Sequence, residues 1–209
     1  MYSNIYLIIL AGGSGTRFGG TVRKQFLMFH GKELWKYIYE TAVSVLPKEN
    51  VVVVGIDIPG GKTRPESVKR GLEWVKQKGN AKKVVICEAA RALVTAEQIK
   101  NIIEFDSPSC CYVNPVVDTV ILKDKTYITR SECYSLVSPQ AFDFELLYKA
   151  YANCDLSEIR TDDTRIIADT YGIAPDFLEG GENLYKVTYP KDIAVIEEIY
   201  KQQNNNESI

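Results

Sequence analysis

The chain alternates short, unbroken apolar runs with longer stretches in which apolar residues recur every three or four positions. Residues 5–10, Ile-Tyr-Leu-Ile-Ile-Leu, show no polar alternation and predict a strand buried on both faces. Residues 34–46 carry apolar groups at helical spacing, and Pro47 closes that helix. Val51-Val-Val-Val54 predicts a second buried strand, residues 67–78 a helix with Val68, Leu72 and Val75 on one face, and residues 84–87 a third strand. A helix over 95–105 has its own start signal, Thr95 as N-cap and Gln98 at the capping-box position. This βαβαβα order predicts an α/β fold, a doubly wound, mainly parallel sheet of Rossmann-like type, with ligands beyond the carboxyl ends of the strands.

After residue 111 the period changes. Residues 112–114 and 119–122 read as strands, Asp124-Lys125 as a polar turn and 127–129 as a further strand, which predicts a β-hairpin arm at about 117–136 inserted in the α/β domain. Pro139-Gln-Ala-Phe142 predicts the start of a helix running to about residue 152, and Thr161 or Asp162 is placed to cap another. Residues 184–188 predict the last strand and 190–200 the last helix, with Pro190 at its first position. The polar stretch 202–209 is expected to fray. With neither repeat nor linker, the 209 residues and their 45% hydrophobic content predict one domain with a full core.

Charge and cysteine usage narrow the function. A formal net charge of −2 gives no general attraction to nucleic acid or to an anionic membrane, so any anion site must be local. The 13 tyrosines are scattered and form no base-stacking platform. Five cysteines without a C-x-x-C pair, and a single histidine, His30, give no zinc pattern; reduced thiols in a cytoplasm are the simplest expectation. The first apolar run is too short for a signal or a membrane span and has no basic flank, so a soluble, cytoplasmic protein is expected. His30, beside Gly31, reads as a polar turn residue.

The chemistry gathers at the stretch Leu10-Ala-Gly-Gly-Ser-Gly-Thr-Arg-Phe-Gly-Gly20, which leaves the first strand. Gly12, Gly13 and Gly15 lack a Cβ and allow backbone N–H groups to approach phosphate oxygens, while Arg17 and Lys24 add cations at the rim. A Walker A loop would end in Gly-Lys-Ser/Thr where this one has Gly15-Thr16-Arg17, and a dinucleotide fingerprint would need glycine where Phe18 stands. The loop therefore predicts a polyphosphate site of another kind.

Leu10-Ala-Gly-Gly-x-Gly-x-Arg17 with Lys24-Gln25-Phe26 and Gly31-Lys32 resembles the signature of the cytidylyltransferases that join CTP to a polyol phosphate, the 2-C-methyl-D-erythritol 4-phosphate and ribitol 5-phosphate enzymes. The resemblance continues in order along the chain through Gly60-Gly-x-x-Arg64-x-x-Ser67-Val68, Asp118-Thr119, Arg130, Ser138-Pro-Gln-Ala-Phe142, Thr161-Asp162-Asp163 and Lys186-Val-Thr-x-Pro190. It implies nucleotide contacts at Leu10, Ala11, Gly12, Gly13, Gly15, Gly61 and Ser67. It also implies an acceptor site at Arg91, Thr119, Arg130 and Thr161, and a homodimer in which the arm carries Arg130 into the partner's site. Cys87-Glu-Ala-Ala-Arg-Ala92 stands where the family has His-Asp-x-x-Arg-Pro, so Glu88 takes the aspartate's place near the ribose or the acceptor. Ala168 stands where a glutamate is common.

The chemistry so implied needs no general base. A phosphate monoester with a second pKa of about 6 is already a dianion at neutral pH, and the protein has to hold two anions together and stabilise charge as pyrophosphate leaves. Arg17, Lys24 and Lys186 are the expected catalytic cations, and Mg²⁺ is expected with CTP. The acceptor stays open: Leu10-Ala-Gly-Gly, Lys24-Gln-Phe and Val117-Asp-Thr-Val120 look slightly more like the ribitol 5-phosphate members, and nothing excludes 2-C-methyl-D-erythritol 4-phosphate. A nucleotide-binding paralogue without turnover is the second reading, resting on Cys87, Glu88, Ala92 and Ala168.

Overall fold

The computed structural model describes residues 2–13, 23–155 and 162–206. In chain order the elements are β1 (Ile5–Leu10), a ribbon of β2 (Met28–Phe29) and β3 (Lys32–Glu33), α1 (Leu34–Val45), β4 (Val51–Val54), α2 (Arg64–Lys76), β5 (Lys83–Glu88), α3 (Ala96–Glu104) and β6 (Ser109–Pro115). The arm strands β7 (Val120–Ile121) and β8 (Tyr127–Ile128) follow, then β9 (Tyr134–Asp143), α4 (Phe144–Asn153), α5 (Asp163–Tyr171), β10 (Asp176–Glu179) and α6 (Asp192–Asn206). The main sheet has the order β10-β6-β9-β5-β1-β4. β4, β1 and β5 are parallel, as are β6 and β10, and β9 runs antiparallel between β5 and β6. The doubly wound, mainly parallel sheet expected from the sequence is present with one reversed strand.

β1 fails to alternate because both of its faces are covered. Leu7 and Ile9 pack with Ile38 and Ala42 of α1 and Ile99 and Ile102 of α3. Tyr6 and Ile8 pack with Val68 and Leu72 of α2, Leu147 of α4 and Ile166 of α5. α2 comes close at Gly71, where an added Cβ would lie 2.7 Å from Ile8 Cγ2. A third cluster, including Phe29, Leu34, Leu93, Val187 and Ile196, docks α6 and the ribbon on the sheet's carboxyl side. In register, Leu10 pairs with Val54 on one side and with Glu88 on the other, so the loops after β1, β4 and β5 leave the sheet at one level.

Five expectations are corrected. Pro139-Gln-Ala-Phe142 does not begin a helix; it lies in β9, which bonds to β5 and β6 and buries Val137, Ala141 and Phe142. Pro139 is accommodated there because the ladder is irregular at that point, Cys111 opposing Gln140 and Tyr112 opposing Val137. The helix begins at Phe144, capped by Asp143, which accepts from Leu146 N–H at 3.0 Å. Residues 184–188 are not a strand: Leu184 ends a 3₁₀ turn, Val187 N–H bonds Ala90 O at 2.9 Å, and β10 takes the place beside β6. Both side chains are buried by cluster packing rather than by a sheet.

α2 starts three residues before Ser67, with Thr63 as its cap. α6 starts at Asp192, whose carboxylate accepts from Thr188 and Tyr189 N–H at 2.7 and 2.8 Å, and it continues as helix over residues 202–206. The capping box at Thr95 and Gln98 and the β7–β8 hairpin form as predicted. Among the described residues no helix is long and apolar enough to cross a membrane.

Candidate functional site

Two glycine-bearing loops meet where the sheet ends, the one after β1 with Gly12 and Gly13 and the one after β4 with Gly55, Gly60 and Gly61. Ala11 N–H bonds Val54 O at 2.9 Å, which turns the first loop over the end of β4. Gly55, at φ +103°, passes so close beneath that an added Cβ would lie 2.7 Å from Gly12 Cα. Gly60 approaches from above, its added Cβ 3.1 Å from the same atom, so the loops touch backbone to backbone. Gly13 has nothing within 4 Å of such a Cβ. Buried Gln25 pins the first loop, donating to Ala11 O at 2.6 Å and to Gly13 O at 3.2 Å, and thereby sets the adjacent Lys24 on the cavity. Lys24 Nζ donates to Val187 O at 3.1 Å.

In the second loop, Gly61 N–H donates to Ser67 Oγ at 3.0 Å, and that hydroxyl donates to Thr63 O at 3.0 Å. Ser67, predicted to start the helix, instead clamps the loop that precedes it. Together these loops enclose a cavity of about 510 Å³ whose wall includes Gly12, Gly13, Lys24, Gly61, Ser67 and Lys186.

Glu88, at the end of β5, is the electrostatic centre. Its carboxylate lies 2.8 Å from Lys186 Nζ, 3.7 Å from Arg64 Nε and 3.6 Å from Arg91 Nε. Burial pushes the carboxyl up, but Lys186, Arg64 and Arg91 outweigh it and hold its pKa down at about 2. Arg64 is fixed by a bidentate pair with fully buried Asp163 at 2.8 and 2.7 Å, and Tyr151 donates its hydroxyl to the same carboxylate. Burial opposes the Arg64 charge, yet Asp163 and Glu88 raise its pKa further. Lys186 is brought to Glu88 by its neighbour, because buried Val187 is anchored on Ala90.

A second cavity of about 670 Å³ adjoins the first and shares Arg64, Glu88 and Lys186 with it. Its wall contains Arg91, Ser138, Gln140, Asp162 and Phe177. Arg64 Nε, Arg91 Nε, Ser138 Oγ and Gln140 Oε1 are buried and without a hydrogen-bond partner. Arg64 Nε and Arg91 Nε face Glu88 at 3.7 and 3.6 Å; buried polar atoms are normally satisfied, and the two that remain, Ser138 Oγ and Gln140 Oε1, mark a place on this cavity where a polar ligand completes the set.

Of the residues singled out in the sequence, Leu10, Ala11, Gly12, Gly13, Lys24, Gly61, Ser67, Glu88 and Lys186 line the first cavity, and Arg91 lines the second. Gly15, Arg17 and Thr161 lie outside the described residues. Thr119 and Arg130 are exposed on the arm and line neither cavity; Arg130 Nη1 donates to Val117 O at 2.7 Å. His30 is an exposed turn residue, 2.8 Å from Glu197 and stacked on Tyr200. Gln25, Arg64, Gln140 and Asp162 had stood in the matched motifs without a role. The signal that could have found them is the polar side chain inside an otherwise apolar stretch, as with Gln140 between Val137 and Phe142.

Two converging glycine loops, a cationic cavity and an adjoining polar one on this sheet define a nucleotidyltransferase-like α/β protein. The sequence model of the IspD family, 2-C-methyl-D-erythritol 4-phosphate cytidylyltransferase, matches residues 40–202. The chain belongs to that family. It is 32% identical over 205 residues to the bifunctional enzyme IspD/IspF of Campylobacter jejuni, the match covering 91% of this chain and 53% of that one. The chain thus spans about half the length of the bifunctional relatives it matches. With the 2-C-methyl-D-erythritol 4-phosphate cytidylyltransferase of Clostridium botulinum it shares 26% over 225 residues, covering 94% and 97% of the two chains. The solved structure of the Campylobacter jejuni bifunctional IspDF superposes with a TM-score of 0.77 at 31% identity, over 92% of this chain and 54% of that one. The 4-diphosphocytidyl-2C-methyl-D-erythritol synthase of Anaerococcus prevotii gives a TM-score of 0.77 at 23% identity over 95% and 96%, a likeness of fold.

Proposed function

We propose that the chain transfers a cytidylyl group from CTP to 2-C-methyl-D-erythritol 4-phosphate, releasing pyrophosphate. The observation that carries the reading is the pair of adjoining cavities with Arg64, Glu88 and Lys186 as a common wall, one lined by glycine backbone and Lys24, the other by unpartnered polar atoms. The first suits a triphosphate; the second suits a polyhydroxylated anion. An oxygen of the acceptor's phosphate attacks the α-phosphorus, the bond to the β-phosphate oxygen breaks, and pyrophosphate leaves with the electron pair. The acceptor dianion needs no base, so the side chains have to position and neutralise. Lys186, placed between the cavities, exchanges Glu88 for the phosphate oxygens on which charge grows.

Mg²⁺ belongs to the proposal. Glu88 is the carboxylate among the described residues lining the first cavity, and Lys186 already engages it. No cluster of three His, Cys, Asp or Glu side chains occurs among the described residues. That donor set fits an ion carried by the triphosphate with its own water, where it neutralises phosphate charge.

A two-fold dimer through the arm belongs to it too. The β7–β8 strands are two residues each, too short to be stable alone. Val117 and Tyr127 are 79% and 73% exposed on the arm, an apolar surface suited to a second subunit.

Pyrophosphate release with CTP tests the reading against a panel including 2-C-methyl-D-erythritol 4-phosphate and ribitol 5-phosphate. Release with the first is expected. Release with ribitol 5-phosphate alone moves the acceptor, and CTP binding without release from any acceptor makes the chain a non-catalytic paralogue.

A further inference from the structure

We infer that Gln140 is a specificity-determining residue that accepts a hydrogen bond from a hydroxyl of the acceptor and so fixes which end of the acceptor faces the nucleotide. The inference rests on the reading of the second cavity as the polyol phosphate site. Gln140 sits in β9 between Ile86 of β5 and Cys111 of β6, with 2% of its surface exposed. Its Nε2 donates to Asp162 Oδ2. Asp162 is itself held as the cap of α5, accepting from Thr164 N–H at 2.9 Å and from the Thr164 hydroxyl.

A carboxylate has acceptors only, so the amide must present its NH₂ to Asp162, and the orientation of the side chain is settled by chemistry. The atom left over is Oε1, buried and without a donor. Leaving such an acceptor unmatched is costly, and a ligand that supplies the donor recovers that cost.

The surroundings make this oxygen selective. Of the charged groups in the wall, Arg64, Arg91, Arg165 and Lys186 present N–H donors, while the two carboxylates are already engaged, Glu88 by Lys186, Arg64 and Arg91 and Asp162 by Gln140 and Thr164. A phosphate dianion has acceptors only: it is matched by those cations and repelled by Gln140 Oε1. A hydroxyl can donate to Oε1, and Ser138 Oγ, also unpartnered, is available beside it to either role. The acceptor is therefore read in one direction, phosphate toward Lys186 and the nucleotide cavity, hydroxyls toward Gln140.

The test uses wild-type chain, CTP and a series of acceptors in which one hydroxyl at a time is replaced by hydrogen, with Gln140→Met alongside. One deoxy acceptor is expected to lose roughly 10- to 100-fold in kcat/KM with wild type, mainly through the acceptor KM, with the CTP KM unchanged. Gln140→Met should lose a similar factor on the full acceptor and no further factor on that deoxy compound. Wild-type turnover that is indifferent to every single deoxygenation overturns the inference without needing a folded variant. So does a Gln140→Met loss that persists undiminished on all deoxy acceptors. Wild type that turns over no polyol phosphate at all overturns the underlying reading, and this one with it.

Discussion

Glu88 holds together three cations that would otherwise repel one another at the junction of the two cavities. Its folded pKa of about 2 lies below the ordinary 4.5, so its contribution to stability is complete above pH 4.5 and disappears as the pH falls toward 2. That shift corresponds to at most roughly 3 kcal/mol. Glu88→Gln should therefore lower the urea unfolding free energy at pH 7 by up to that amount, and the difference from wild type should vanish near pH 2. Equal stability of the two proteins at pH 7 would mean that the three cations do not need the charge. In turnover, Glu88→Asp should keep substantial activity and Glu88→Ala lose most of it. Lys24, set on the nucleotide cavity by Gln25, has a different task. Lys24→Ala should slow turnover at least ~100-fold, about 2.7 kcal/mol of transition-state stabilisation, while leaving the unfolding midpoint near that of wild type.

α2 and α5 are joined at their first turns by the Arg64–Asp163 pair, with Tyr151 of α4 bonded to the same carboxylate. Asp163→Ala would leave a buried guanidinium without its partner and should cost about 3–5 kcal/mol in urea unfolding, whereas Thr63→Ala, which removes only a cap, should cost about 1 kcal/mol. Similar small losses from both would show that the buried pair is not holding the helices. The elements that carry their own periodicity, β1, β4, α1 and α3, could be read from the sequence almost to the residue. β9 could not: Pro139 resembles a helix start locally, and only the vacancy between β5 and β6 decides that residues 134–143 are extended. Residues 184–188 misled for a related reason, since Leu184 and Val187 are buried in two different side-chain clusters, which leaves no alternating pattern. The glycine loop after β1 was legible because few residue types suit its backbone, whereas Glu88 and the loop of Gly61 were placed only through the resemblance. Gln25, Gln140 and Asp163 were not, because their roles lie in partners far along the chain.

At the scale of the whole molecule, Arg130 and Thr119 sit on the exposed arm, outside both cavities of their own chain. If the arm completes the site of a second subunit, Lys24→Ala and Arg130→Ala proteins, each nearly inactive alone, should complement on mixing. Random exchange makes half the dimers mixed, each with one intact site, so about a quarter of wild-type activity should return. No recovery after demonstrated exchange would place Arg130 outside the partner's site. The closing of Gly55 and Gly60, both in the loop after β4, on the backbone of Gly12 after β1 bears on how the sequence can drift. A saturation library sorted for folded protein should be almost empty at position 55, where any side chain meets backbone at 2.7 Å with φ at +103°. Position 60, with 3.1 Å available, should admit little beyond alanine. Gly13, with open space around it, should pass that sort with many replacements and be depleted only when the library is sorted again for product, so the two screens would separate the glycines that build the protein from the glycine that makes room for its ligand.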